Sequence, residues 1–258
     1  MKSHIQNFTK YKDLLVELIR KDIKLKYRNS ALGIVWSMLN PLLLMIVLTI
    51  IFSAIFNNTI ENFPVYVLTG RLIYSFFAEA TNFAMDSIHA NGQLIRKVYV
   101  PKYFFPFARV CSSFITTILS IVPLIAVMIV TGMSFSFINL MIIFPLAYVF
   151  LISLGVGLIL STVTVFFRDI KHLYSIVLML VMYMTPIFYP KEIIPQKYMP
   201  IIELNPLFEV VGMFRNVLMY GNFPTLESHF ICLIHGLLYF VVGLFIFYKK
   251  QDRFIFHI

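Results

Sequence analysis

The chain has 258 residues, 60% hydrophobic and only 13% charged, with a mean hydropathy of +0.86, which is more apolar surface than one water-soluble core can hide. That excludes an ordinary soluble enzyme, a disordered chain and a disulfide scaffold, and makes lipid the solvent for most of the protein. The net charge of +9, from 21 Lys and Arg against 12 Asp and Glu, is read as the basic excess of cytoplasmic loops and not as a nucleic-acid surface.

Residues 1–31 are polar and basic, without the layout of a cleavable signal peptide. Within them, residues 11–27 are amphipathic: Leu14, Leu15, Leu18, Ile19 and Ile23 recur at three-to-four spacing, with Lys12, Asp13, Glu17, Lys21 and Lys24 mostly elsewhere. This predicts a helix lying on the inner membrane surface, either as a positive-inside anchor or as a collar meeting a cytoplasmic partner or a substrate phosphate.

Residues 32–258 form the membrane domain. A hydrocarbon core of about 30 Å takes roughly 20 helical residues, and six stretches meet or approach that length: residues 32–56, 64–85, 104–131, 140–167, 173–188 and 230–248. The second is interrupted by Arg71 and Glu79, and the fifth is short. The third and fourth contain Pro123 and Pro145, where kinks are expected. The expected fold is therefore an all-α integral membrane protein of six transmembrane helices preceded by an amphipathic interface helix.

Basic residues orient the bundle. Lys2, Lys10, Lys12, Arg20, Lys21, Lys24, Lys26 and Arg28 precede the first span. Arg96, Lys97 and Lys102 follow the second, Arg168 and Lys171 the fourth, and Lys249, Lys250 and Arg253 the sixth. The loops at residues 57–63 and 132–139 carry no Lys or Arg. The alternation predicts a multi-pass protein with both termini in the cytoplasm.

Two connectors are more than loops. Residues 86–102 mix Asp86, His89, Asn91 and Gln93 with Leu94, Ile95, Val98 and Tyr99 and end at Pro101. A short helix there with an apolar face toward the cytoplasm would be a docking knob, and a solvated loop is the alternative. Residues 189–229 fall outside. Their first part is broken by Pro190, Pro195, Pro200 and Pro206, and residues 207–220 are too short to cross and fit a re-entrant or interfacial helix. Glu209 and Asn216 share a face of it at 100° per residue, with Gly212 close by. That strip either lines an exit path or rests at the outer interface.

Catalytic and phosphate-cradling patterns are missing. There is no G-x-x-x-x-G-K-[ST], H-E-x-x-H, G-x-S-x-G or D-x-D, and the six histidines form no metal-spaced cluster. Cys111 and Cys232 lie in apolar runs. Glu79 is the strongest intramembrane ionisable group, with Arg71 nearer the outer end of its span and Arg109 nearer the inner end of the next. Glu79 and Arg71 are eight residues, about 12 Å, apart on one helix, too far to pair. A structural partner on another helix is expected for Glu79, with a proton relay as the alternative.

Several segments carry a family likeness. The run LIRKDIKLKYRNSALGIVWSMLNP at residues 18–41, VFFRDI at 165–170, TPIFYP at 185–190 and Asn205-Pro206 together resemble the membrane subunit of polysaccharide ABC exporters. These are the ABC-2 type permeases for O-antigen, capsule-like glycans and teichoic acids. The resemblance implies half of a homodimeric channel in the bacterial inner membrane, working with a separate ATPase subunit that binds ATP and Mg. No cofactor is then expected in this chain. The implied cargo is a glycan on an undecaprenyl diphosphate carrier. It further implies a coupling helix within residues 86–102, placing Asn91, Gln93, Leu94, Ile95 and Val98 toward the ATPase, and re-entrant helices after the fifth span.

On this likeness Arg28 sits within reach of a lipid phosphate. Gly33 and Trp36 turn and anchor the junction with the first span, and Pro41 bends that span. Arg168 and Asp169 pair across the inner mouth, and Tyr189 offers a ring to sugar C–H faces. Two rival expectations are an ABC-2 permease for a drug or peptide, and a membrane-embedded enzyme acting on a lipid-linked sugar through Glu79, Asp86 or Asp169.

Overall fold

A computed structural model describes residues 11–28, 30–56 and 60–258. Lys2, Lys10 and Asn29 of the basic entry segment, and residues 57–59 of the first predicted loop, lie outside the described residues. Every regular element among the described residues is helical.

Helix α1 (Lys12–Tyr27) is the predicted amphipathic helix. Its Leu15 and Leu18 are buried in the main core, while Val16 and Leu25 stay exposed. Part of its apolar stripe is therefore covered by protein: Tyr11 meets Phe104 edge-on, 6.2 Å between ring centres. A 3-10 turn (Gly33–Val35) follows, with Gly33 at φ +52°, a left-handed conformation that glycine adopts without a Cβ clash.

Helix α2 (Trp36–Phe56) contains Pro41 and is clad in exposed apolar side chains, including Leu43, Ile46, Val47 and Ile50. Helix α3 (Phe63–Ala90) is 28 residues long, about 42 Å. It is the centre of the bundle: Val65, Val67, Ile73, Ala80, Ala84 and Ile88 have no exposed surface. Its neighbours cover it on most sides, which is why it tolerates Arg71, Glu79 and Asp86 and has a weaker apolar signal than the helices around it. Asn91 separates it from the short helix α4 (Gly92–Lys97).

The predicted third span is two helices, α5 (Phe104–Leu119) and α6 (Ile121–Val130), broken at Ser120. Pro123 explains the break, because its ring clashes with the carbonyl four residues back, that of Leu119. Pro145 stands at the equivalent place: it is the third residue of α7 (Ile143–Phe166), which follows a 3-10 turn (Phe137–Ile142). Each α-helix therefore starts two residues before its proline, where the missing N–H has no partner to lose. Helix α8 (Ile170–Met184) is held to α3 by two hydroxyls: Tyr174 donates to Thr81 Oγ1 (2.6 Å) and Tyr74 donates to the Leu178 carbonyl (3.0 Å).

Helix α9 (Met199–Glu203) leads to α10 (Pro206–Leu218), where the Asn205 side chain accepts from Leu207 N–H and Pro206 occupies the first turn. Helix α11 (Leu226–Lys250) closes the bundle against α7. A Cβ on Gly155 would lie 2.3 Å from the Tyr239 carbonyl carbon, and one on Gly243 would lie 2.4 Å from the Gly155 oxygen. The two backbones therefore touch.

Four stretches of the described residues are long and apolar enough to cross a membrane: Gly33–Ile51, Phe104–Val130, Phe137–Phe166 and Leu226–Phe256. Helix α3 has the length but carries charge, and α8 is apolar but only 15 residues long.

Candidate functional site

A cavity of about 530 Å³ lies where α1, α2, α3 and α5 meet. Each helix contributes polar atoms: Lys26 and Tyr27 from α1; Trp36, Ser37 and Asn40 from α2; Arg71, Ser75 and Glu79 from α3; Thr116 and Thr117 from α5. Pro41, Leu44, Leu72 and Phe76 complete its wall. The Pro41 ring removes one backbone donor from α2 at the level where Asn40 and Leu44 face the cavity. A polar chamber among helices this apolar is a functional feature by default, because polar side chains at membrane depth are costly unless they have a partner.

Its charges are arranged unequally. Lys26 Nζ donates to Glu79 Oε1 at 2.6 Å, with the two side chains 25% and 34% exposed. This is the interhelical partner expected for Glu79, supplied by the interface helix. Arg71 has no carboxylate among the described residues. Its Nη1 lies 3.6 Å from Met182 Sδ, and its guanidinium carbon stands 5.4 Å from the centre of the Tyr74 ring.

Arg109, the third predicted intramembrane ion, pairs with Asp22 of α1 at 3.2 Å. Burial pushes the Asp22 carboxyl above its ordinary value, and the charges of Arg109 and then Lys21 pull it back in part. Lys21 Nζ also donates to Asn91 Oδ1 (3.4 Å), and Asn91 Nδ2 to the Ser87 carbonyl (2.8 Å). The interface helix is thus pinned to the end of α3 where the short connector helix begins.

A second recess, about 280 Å³, lies at the opposite end of α3 and is lined by Glu209, Gly212 and Asn216 of α10 together with Tyr66, Lys191 and Glu192. Glu209 accepts from the Ser228 hydroxyl. Beside it Arg215 is 5% exposed, with Nη1 donating to the Pro186 carbonyl (2.7 Å) and Nη2 to those of Tyr66 (3.1 Å) and Ile187 (3.3 Å). Its guanidinium lies 3.4 Å above the Tyr66 ring, and Nε donates to Thr69 Oγ1 at 3.4 Å. The Tyr66 hydroxyl in turn donates to the Tyr189 carbonyl at 2.8 Å. Gly70 leaves the room for this: a Cβ there would lie 2.7 Å from Arg215 Nη2.

The other predicted residues are distributed as follows. Trp36 lines the cavity, and Arg28 is exposed and outside its wall. Arg168 and Asp169 are exposed and form no ion pair among the described residues; the acid–base contact at that end is Lys171 with Asp86. Tyr189 is half-buried, its hydroxyl bonded to the Tyr183 carbonyl. In the connector, Asn91 and Ile95 are buried, Leu94 is half-buried, and Gln93 and Val98 are exposed beside the almost fully exposed Tyr99. Among the described residues no group of three or more His, Cys, Asp or Glu is placed to hold a metal.

Sequence reasoning assigned no role to Lys26 or Arg215. For Arg215 the available signal was a lone arginine in an otherwise apolar helical run. For Lys26 there was none, since it is one basic residue among many.

Residues 13–219 match the ABC-2 type transporter family model. The chain belongs to the ABC-2 type transporter family. Among its curated ABC-2 relatives, it is 34% identical to the O-antigen export system permease protein RfbA of Klebsiella pneumoniae over 249 residues, 94% of this chain and 93% of that one. The protein of the same name from Myxococcus xanthus is 28% identical over 86% of both chains. The polysialic acid transport protein KpsM of Escherichia coli is 24% identical over 91% of this chain and 92% of its own. The matched ABC-2 region runs from α1 to the end of α10 and includes both recesses.

Proposed function

We propose that this chain is the membrane-spanning permease subunit of an ABC exporter that moves a polysaccharide outward, driven by ATP hydrolysis in a separate subunit. The observation that carries the transport role is the polar cavity among apolar helices. The cargo class follows from the near full-length likeness to permeases named for O-antigen export and polysialic acid transport. The chain is a transport subunit and not an enzyme. Glu79 and Asp86, two of the three carboxylates considered for chemistry, are tied to Lys26 and Lys171.

In this reading α3 and α8 complete six crossings, and both termini lie in the cytoplasm. The residues from α9 through α10 enter the outer leaflet without crossing. The cargo is a glycan on undecaprenyl diphosphate, and two copies of the chain enclose its path. The exposed apolar side chains of α2 and α8 support that pairing, since α2 borders the cavity and α8 reaches its Arg71 through Met182. The ATPase, which holds ATP and Mg, meets α4 at the exposed Gln93 and the Val98 and Tyr99 that follow the helix. Arg28, Arg168 and Asp169 stand at the cytoplasmic entrance, and Glu209, Asn216 and Tyr189 at the exit.

Deleting the gene and restoring it with and without a co-expressed ATPase tests the reading. Surface polysaccharide should vanish on deletion and return only with both subunits. Intact surface polysaccharide after deletion would reject it, as would transport by the purified chain alone down an ion gradient. A cysteine placed at Gln93 should crosslink to the ATPase, and failure at every exposed position of α4 and the residues after it would remove the docking assignment.

A further inference from the structure

The cavity holds two cations, Lys26 and Arg71, against one carboxylate, Glu79. The Lys26–Glu79 pair is complete at 2.6 Å. Glu79 is also two turns, about 12 Å, from Arg71 on α3. One positive charge is therefore left over among apolar helices, and the contacts of its guanidinium among the described residues are a thioether and an aromatic ring. An uncompensated guanidinium in such a place is costly, and an anionic occupant removes the cost.

A second observation is independent of the first. The Tyr27 hydroxyl, on the same cavity wall, is buried and has no hydrogen-bond partner among the described residues. Buried hydroxyls normally have one. The chamber wall thus carries an unmatched charge and an unmatched hydroxyl, with Ser75, Thr116 and Thr117 among the residues lining it.

The wall on the α2 side indicates what kind of anion fits. Pro41 and Leu44 line the chamber, while Leu43 and Val47 on the outer surface of the same helix are exposed. A molecule with a hydrocarbon chain along α2 and a charged head turned inward would satisfy both surfaces. We propose that Arg71 is the ligand for the phosphate of a lipid-borne anion that enters this cavity, its planar fork of donors matching phosphate oxygens. This rests on the export reading above for the identity of the lipid, but not for the existence of the site.

Trp36 provides the readout. It is the chain's single tryptophan and lines the cavity, so intrinsic emission reports on occupancy. The full chain is placed in phosphatidylcholine vesicles, which add no tryptophan, and titrated with undecaprenyl phosphate, with undecaprenol and with phosphatidylglycerol. Undecaprenyl phosphate should change Trp36 emission and undecaprenol should not. Arg71→Gln should weaken the apparent affinity for the phosphate about tenfold or more, and Arg71→Lys should restore part of it.

A purely structural Arg71 would alter both polyprenyl lipids alike. An unchanged phosphate titration in Arg71→Gln, or an equal response to undecaprenol, overturns the proposal. An equal response to phosphatidylglycerol keeps the phosphate site and assigns it to ordinary headgroups. Cells separate this from the export reading. If deletion abolishes surface polysaccharide while Arg71→Gln binds normally, the site fails and export stands. If deletion leaves the polysaccharide intact while the phosphate response persists, export fails and the site stands.

Discussion

Arg215 and Gly70 should behave as one energetic unit. Arg215→Met removes a buried guanidinium that donates to the carbonyls of Pro186, Tyr66 and Ile187. The Tyr66 carbonyl keeps the Thr69 hydroxyl as a donor, while the single Tyr66 hydroxyl proton is shared between the Tyr189 and Pro186 carbonyls with the shorter contact to Tyr189, so the Pro186 and Ile187 carbonyls bear most of the loss. A buried acceptor left without a donor costs about 1–3 kcal/mol, and the Tyr66 stacking partner at 3.4 Å is lost as well. The sum is about 3 kcal/mol, which for a chain of this size lowers the melting temperature by roughly 6–12 °C. Gly70→Ala should cost nearly as much, because the new methyl would sit 2.7 Å from Arg215 Nη2 and force the guanidinium off its carbonyls. With Arg215 already truncated, the closest remaining atoms are those of Ile187 at 3.2 and 3.3 Å, so the second change adds little. Heating the detergent-solubilised protein and following the surviving size-exclusion peak gives the full cycle. Losses that simply add, or a Gly70→Ala variant as stable as the parent, would refute this account of the Arg215 network.

Gly155→Ala should destabilise by about 1–3 kcal/mol or more, because backbone atoms of Tyr239 occupy the space. Gly236→Ala, in the same helix pair, faces only the end of the Leu151 side chain at 2.9 Å and should cost under about 1 kcal/mol; equal melting temperatures would remove the argument. The Lys26→Met and Glu79→Gln variants should show a coupling energy of about 1 kcal/mol in a double-mutant cycle, modest because both side chains are about a third exposed or less, and strict additivity would count against the pair. The Asp22 carboxyl is held above its ordinary value by burial, so its contribution to stability is full below the unfolded value of 3.8 and is lost as pH rises through the higher folded value. Asp22→Asn should flatten that acid-range slope in a melting-temperature series, and an unaltered slope would place the titration elsewhere.

The composition and the period of the apolar residues were enough to read the helical class and the amphipathic α1, while for residues 86–102 they left a short helix and a solvated loop both open. They were enough because lipid leaves a chain few backbone options. The split at Ser120 followed from Pro123, and the change from 3-10 turn to α-helix at Ile143 falls at the same spacing before Pro145. The weak signal of α3 had a tertiary cause: a helix covered by protein need not be uniformly apolar, so Arg71 and Glu79 are tolerated there. The expectation that Glu79 has a partner on another helix was legible, but the partner was not. Lys26 stands 53 positions away in a run of basic residues that look alike in sequence. The Arg215 cluster was hidden for a similar reason, since its acceptors are main-chain carbonyls, which leave no mark on side-chain identity.

The contact of Gly155 and Gly243 divides the molecule mechanically. Where two helices touch main chain to main chain, neither can slide or roll without steric collision, so α7 and α11 act as a stator. Helix α2 is different: it leans on α3 with most of its flank free and hangs from a glycine swivel at Gly33. On the export reading proposed above, a stroke delivered by the ATPase would be taken up on the α2 side, where that helix borders the chamber.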